Sequence, residues 1–141
     1  MIVYFDTSAF VPLLVSEAGT PVARELWDSA DDVVSTRLLY VEAAAALARA
    51  RRMGRITDRN QRAAVGSLND LWRDFRVIEV DEAVTHRAAE LADSLALRGY
   101  GAVHCASAER ISAADLVVAS GDKDLLTACI ELGLATALTG R

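Results

Sequence analysis

Short apolar runs alternate along this chain with longer stretches of helical spacing. The first run, residues 2–5, is four consecutive apolar residues rich in β-formers, the pattern of a strand covered on both faces. Residues 33–35, 77–80, 116–119 and 134–136 are the other strand candidates. Helices are predicted over 20–30, 36–53, 58–75, 82–98, 102–111 and 123–132. Ser35 or Thr36 can cap the second of these, alanine fills it, and Gly54 ends it; Gly99 and Gly133 close later ones. The only prolines, Pro12 and Pro21, lie near the start, so nothing downstream interrupts the alternation. Strands alternating with helices predict an α/β fold. The expected form is a three-layer α/β/α sandwich around a mainly parallel sheet of four to five short strands. Right-handed crossovers place the first strand near the middle of that sheet.

Length and composition narrow the class. The 141 residues are 52% hydrophobic and 25% charged, which fits one domain over 1–141 and excludes intrinsic disorder. No apolar run approaches the ~20 residues of a membrane helix. The start lacks a basic n-region and meets Asp6 at once, so a cytoplasmic protein without a membrane partner is expected. Two cysteines, Cys105 and Cys129, match neither a disulfide framework nor a zinc spacing. The net charge of −5 argues against a general nucleic-acid coat protein. It also hides an asymmetry. Residues 49–62 hold six arginines (Arg49, Arg51, Arg52, Arg55, Arg59, Arg62) against Asp58, a local +5 that leaves −10 on the rest. Such a patch suits a polyanion approaching an acidic site, or a solvated pair of helix ends.

In an open parallel sheet, ligands bind beyond the carboxyl ends of the strands where strand order reverses. The first strand ends in Asp6, followed by Thr7 and Ser8. The fourth ends in Ser120-Gly121-Asp122, with Asp124 close behind. Each aspartate can instead be a helix N-cap. Glu42 is a carboxylate on a small, apolar helix stripe with Leu38, Leu39, Ala45 and Ala46 at helical spacing. It is costly to bury unless paired or metal-bound, or it snorkels to water. Carboxylates without histidine or cysteine spacing favour Mg²⁺ or Mn²⁺, and with them nuclease-like chemistry. No phosphate-cradling glycine loop is present. His86 reads as exposed, His104 as a packed histidine rather than a base, and Cys105 as a small core residue.

Four segments, IVYFDTSAF, VSTRLLYVEAAAALARA, LRGYGAVHCASA and LVVASGDKDLL, occur in the order and spacing of PIN-domain proteins. The resemblance covers essentially the whole chain, and the size resembles the VapC-type toxins of bacterial toxin–antitoxin pairs. It implies a Mg²⁺-dependent endoribonuclease (Mn²⁺ being the other usable ion). A homodimer is implied as well, and a VapB-type antitoxin that blocks the active site with an extended segment. Residue by residue, it puts metal-binding and catalytic acids at Asp6, Glu42 and Asp122. Thr7, Ser8, Ser120 and Asp124 would support them, and the substrate would be RNA. The arginine patch, with Arg49, Arg51, Arg52 and Arg55, would contact that RNA.

One position departs from the family pattern. The segment LRGYGAVHCASA resembles one that carries an aspartate where Gly101 stands here. Fewer negative ligands mean weaker binding of a hard cation. Two expectations follow: an endoribonuclease impaired at Gly101, or a non-catalytic module that still binds RNA or antitoxin. A DNA-directed nuclease or a phosphatase using the same acids is a third.

Overall fold

The computed structural model describes residues 1–140. Five parallel strands form one sheet: β1 (Ile2–Phe5), β2 (Asp32–Thr36), β3 (Phe75–Ile78), β4 (Leu116–Ser120) and β5 (Ala135–Leu138). Their order is β3-β2-β1-β4-β5, so β1 is central as expected. The chain winds outward from β1 to β3, then returns to lay β4 on the other side of β1. Strand order therefore reverses between β1 and β4, and the crevice that an open sheet offers a ligand opens there.

Seven helices surround the sheet: α1 (Thr7–Phe10), α2 (Thr20–Ser29), α3 (Leu39–Arg52), α4 (Asp58–Trp72), α5 (Glu82–Ser94), α6 (Gly99–Arg110) and α7 (Lys123–Glu131). The two-residue period of the strands divides their side chains between two cores. Val3 and Phe5 of β1 join Phe10, Leu39, Ala43 and Leu68 on one face. Tyr4 joins Leu91, Ala106, Leu116 and Cys129 on the other. This is the three-layer α/β/α arrangement. The first core is aromatic: Phe5, Phe10, Trp27 and Phe75 meet with ring centroids 5.2–6.4 Å apart. Among the described residues, no helix is long and apolar enough to cross a membrane.

Element ends shift from the sequence pattern most in three places. α4 stops at Trp72 and β3 begins at Phe75, because Phe75 is drawn into the aromatic core. α3 starts at Leu39 rather than Thr36, which belongs to the end of β2. α5 ends at Ser94, and Ala96 takes a positive φ of 53°. Gly99 then opens α6 instead of closing α5, which puts Gly101 at the third helical position.

Candidate active site

Asp6 sits at the reversal point, one residue beyond β1, and is 4% exposed. Its side chain caps α1, accepting the Ala9 N–H at 2.9 Å. Two hydroxyls complete its shell: Ser8 donates to Oδ1 at 2.7 Å and Ser120, at the end of β4, to Oδ2 at 2.6 Å. Burial pushes the Asp6 carboxyl above its ordinary value; the His104 charge and the three hydrogen bonds pull the other way. The cap and the candidate ligand are thus one residue. Its capping bond uses a single lone pair of Oδ1, so the two roles do not exclude each other.

The neighbouring hydroxyls tie the strand ends together. Ser120 Oγ also accepts the Asp122 N–H at 2.9 Å, and Ser8 Oγ accepts the Gly121 N–H at 2.8 Å. A Cβ at Gly121 would stand 3.4 Å from Ser8 Oγ, an ordinary packing distance. Asp122 itself is exposed and caps α7, accepting from the N–H groups of Asp124 at 2.9 Å and Leu125 at 3.3 Å. Asp124 is exposed in the first turn of that helix.

Glu42 reaches the crevice from α3. Its Oε1 accepts from Thr7 Oγ1 at 2.8 Å, next in sequence to Asp6. The same oxygen faces His104 Nε2 of α6 at 2.8 Å. An ionised carboxylate only accepts, so Nε2–H is the donor. Nδ1 of the ring lies 2.9 Å from the Tyr4 hydroxyl. His104 is therefore packed, as its alanine-rich helix suggested, but it is also the partner that holds Glu42 in place. The sequence carries no local signal for this link, because Glu42 and His104 meet only through the packing of α3 and α6. Gly101 lies one turn before His104, and a Cβ there would meet nothing within 4 Å.

The arginines flank this crevice. Arg49 and Arg52 line one cavity with Glu42 and Thr7, and Arg55 lines another beside Ser8. Arg51 instead pairs with Asp58 at 3.7 Å.

Asp6 and Glu42 are thus brought to adjoining positions and Asp122 to the next strand end, all at the expected edge. The carboxyl oxygens are oxygen donors of the kind a hard cation takes. They are nevertheless engaged within the protein: Asp6 by three donors, Glu42 by two, Asp122 by its helix. No group of three Asp, Glu, His or Cys side chains able to hold a metal ion forms among the described residues. With glycine at 101, this donor set does not fit a carboxylate-bound Mg²⁺.

Comparisons with known proteins agree with the fold. A PIN-domain family model matches residues 3–130. Ribonuclease VapC45 and Ribonuclease VapC49, from two strains of Mycobacterium tuberculosis, are each 42% identical over 136 residues, covering 96% of this chain and 94% of theirs. Among solved structures, M. tuberculosis VapC20, a Sarcin-Ricin loop cleaving toxin, superposes with a TM-score of 0.70 at 20% identity. It covers 89% of this chain and 94% of its own. VapBC-5 of the same organism, a member of the VapBC family of toxin–antitoxin systems, gives a TM-score of 0.62 at 16% identity, over 99% and 98% of the two chains. A parallel α/β domain with an acidic crevice at its reversal point is the class that this geometry defines. The chain belongs to the PIN-domain family.

Proposed function

We propose that this chain is a VapC-type endoribonuclease toxin whose cleavage is impaired by Gly101. The observation that carries the reading is the buried Asp6 at the β1/β4 reversal point, next to a Glu42 locked by Thr7 and His104. Relatives that share 42% of its residues are named ribonucleases, which supports RNA as the substrate. Restoring Mg²⁺- or Mn²⁺-dependent cleavage is assigned to an acid at 101. A VapB-type antitoxin is the proposed protein partner, covering the same crevice, and the active form is a homodimer.

The residues present have roles that need no further group. Ser8 and Ser120 keep the Asp6 charge desolvated but bonded, so it does not swing toward bulk water. Thr7 and His104 fix the Glu42 rotamer. The arginine ridge draws the phosphate chain toward the acids, which alone would repel it. A purely binding module is favoured by one fact, the internal bonding of all three carboxylates. The two readings separate on single-stranded RNA and DNA of one sequence, incubated with Mn²⁺. Slow cleavage of RNA alone supports the impaired nuclease. RNA binding with no cleavage at any protein concentration supports the module, and cleavage of DNA overturns both.

The ridge makes its own prediction. Binding of single strands weakens with salt at a log–log slope of about −0.7 per phosphate neutralised. Changing Arg49, Arg52 and Arg55 together to alanine should flatten the slope by about two. Arg51→Ala should change it little, because Arg51 faces Asp58. A titration of fluorescence anisotropy against salt measures both, and an unchanged slope in the triple variant would reassign the ridge to solubility.

A further inference from the structure

The crevice opens into two cavities that share Thr7 and Ala46 as a common rim. One, about 470 Å³, lies between α3 and α6; its walls include Glu42, Arg49 and Arg52 on one side and Tyr100 on the other. Tyr100 is unlike the other aromatics of the chain. It is 66% exposed, belongs to neither core, and its hydroxyl has no hydrogen-bond partner among the described residues. An exposed ring without a packing role, beside two guanidinium groups that have no ion pair among the described residues and the half-exposed Val41, is a combination that single-stranded nucleic acids use.

We propose that Tyr100 is the stacking platform for one unpaired RNA base, with Arg49 and Arg52 taking the adjoining phosphates. The inference rests on the RNA reading above and makes it narrower, because the substrate class becomes single-stranded RNA. A base already paired in a duplex is stacked on its neighbours and has no free face for Tyr100, whereas splayed-out bases of loops and ends do. Arg49 and Arg52 are three residues apart and so present their charges on one face of α3. A ring and a pair of cations on facing walls hold a nucleotide by its two chemically distinct parts. Stacking is indifferent to base identity, so this cavity gives strand selectivity without sequence selectivity. Glu42 lines the same cavity, so the held nucleotide lies beside that acid.

The experiment uses the full chain, a fluorescein-labelled unstructured oligoribonucleotide and EDTA, so that binding is read without cleavage. Tyr100→Ala should weaken binding about tenfold, while Tyr100→Phe and Tyr100→Trp should bind nearly as well as the unaltered chain. The salt slope of Tyr100→Ala should stay unchanged, since stacking neutralises no phosphate. A duplex of the same sequence should show no dependence on residue 100. Three results overturn the proposal: Tyr100→Ala binding as tightly as the unaltered chain, Tyr100→Phe losing as much as Tyr100→Ala, or duplex and single strand responding alike. The first would leave the exposed ring to a protein partner. The ribonuclease reading is judged separately by the RNA and DNA cleavage assay, so a failure of either is distinguishable from a failure of the other.

Discussion

Gly101→Asp should switch on, or sharply raise, RNA cleavage and tighten Mn²⁺ binding by at least roughly tenfold, the scale on which removing even an outer-shell partner weakens a metal site. The local structure accepts the change. A Cβ at 101 meets nothing within 4 Å, so the new side chain displaces no neighbour. Position 101 is the third residue of α6, and that helix has no side-chain cap and no acid in its first turn. An anion there gains ~0.3–1 kcal/mol from the partial positive charge of the helix end, and glycine is among the weakest helix formers. The new carboxylate also lies one turn before His104, whose Nε2 already holds Glu42. Stability should therefore hold or rise by up to about 1 kcal/mol, which separates a gain in chemistry from a gain in folding. Calorimetric titration with Mn²⁺ and a cleavage assay on single-stranded RNA are the measurements. If neither changes, Gly101 does not stand in a ligand position, and the binding-module reading replaces the nuclease. Expression without an antitoxin should become more toxic in step with cleavage.

The framework of this site was legible before any fold was known, because it depends on strand ends. Residues 2–5 read as a doubly covered strand since no polar residue interrupts them, and right-handed crossovers then required a central β1. That placed Asp6 and Ser120 at one edge, where they share a hydrogen bond. What the pattern missed came from tertiary packing. β3 carries Arg76, which pairs with Asp32 of the neighbouring strand at 2.7 Å, and the charge broke the apolar run that would have marked residues 75–78. Ala96 adopts a positive φ without being glycine, so the end of α5 carries no sequence signal, and Gly99 opens α6 instead of closing α5. His104 and Glu42 are 62 residues apart and meet only through the docking of α3 and α6 at the same sheet edge. No local spacing encodes such a pair. Tyr100 is in the same position: its exposure, and the cavity it shares with Arg49 and Arg52, exist only once α6 begins at Gly99.

Asp6→Asn, made in the Gly101→Asp background, should return RNA cleavage to the level of the unaltered chain or below while leaving the fold at least as stable. Asparagine keeps the size of the side chain and the capping bond to the Ala9 N–H. Its amide can donate to Ser120 Oγ, which now donates to Asp6 Oδ2, after that hydroxyl rotates. What disappears is a charge at 4% exposure. Burial raises the Asp6 carboxyl above its ordinary 3.8, so the folded state holds this proton to higher pH than the unfolded state does. Between those two values the native protein binds more protons, and the stability of unaltered Asp6 falls as pH rises through the window. The disadvantage grows as pH rises through that window and vanishes below the unfolded value. Asparagine has no such dependence. The asparagine variant should therefore gain stability relative to its aspartate parent as pH rises from 4 to 7. Urea midpoints for the pair at both pH values measure it. A pH-independent difference would mean that the buried carboxylate is fully compensated by Ser8, Ser120 and the Ala9 N–H. Loss of cleavage together with a gain in neutral-pH stability would identify Asp6 as a residue kept for its chemistry against the preference of the fold.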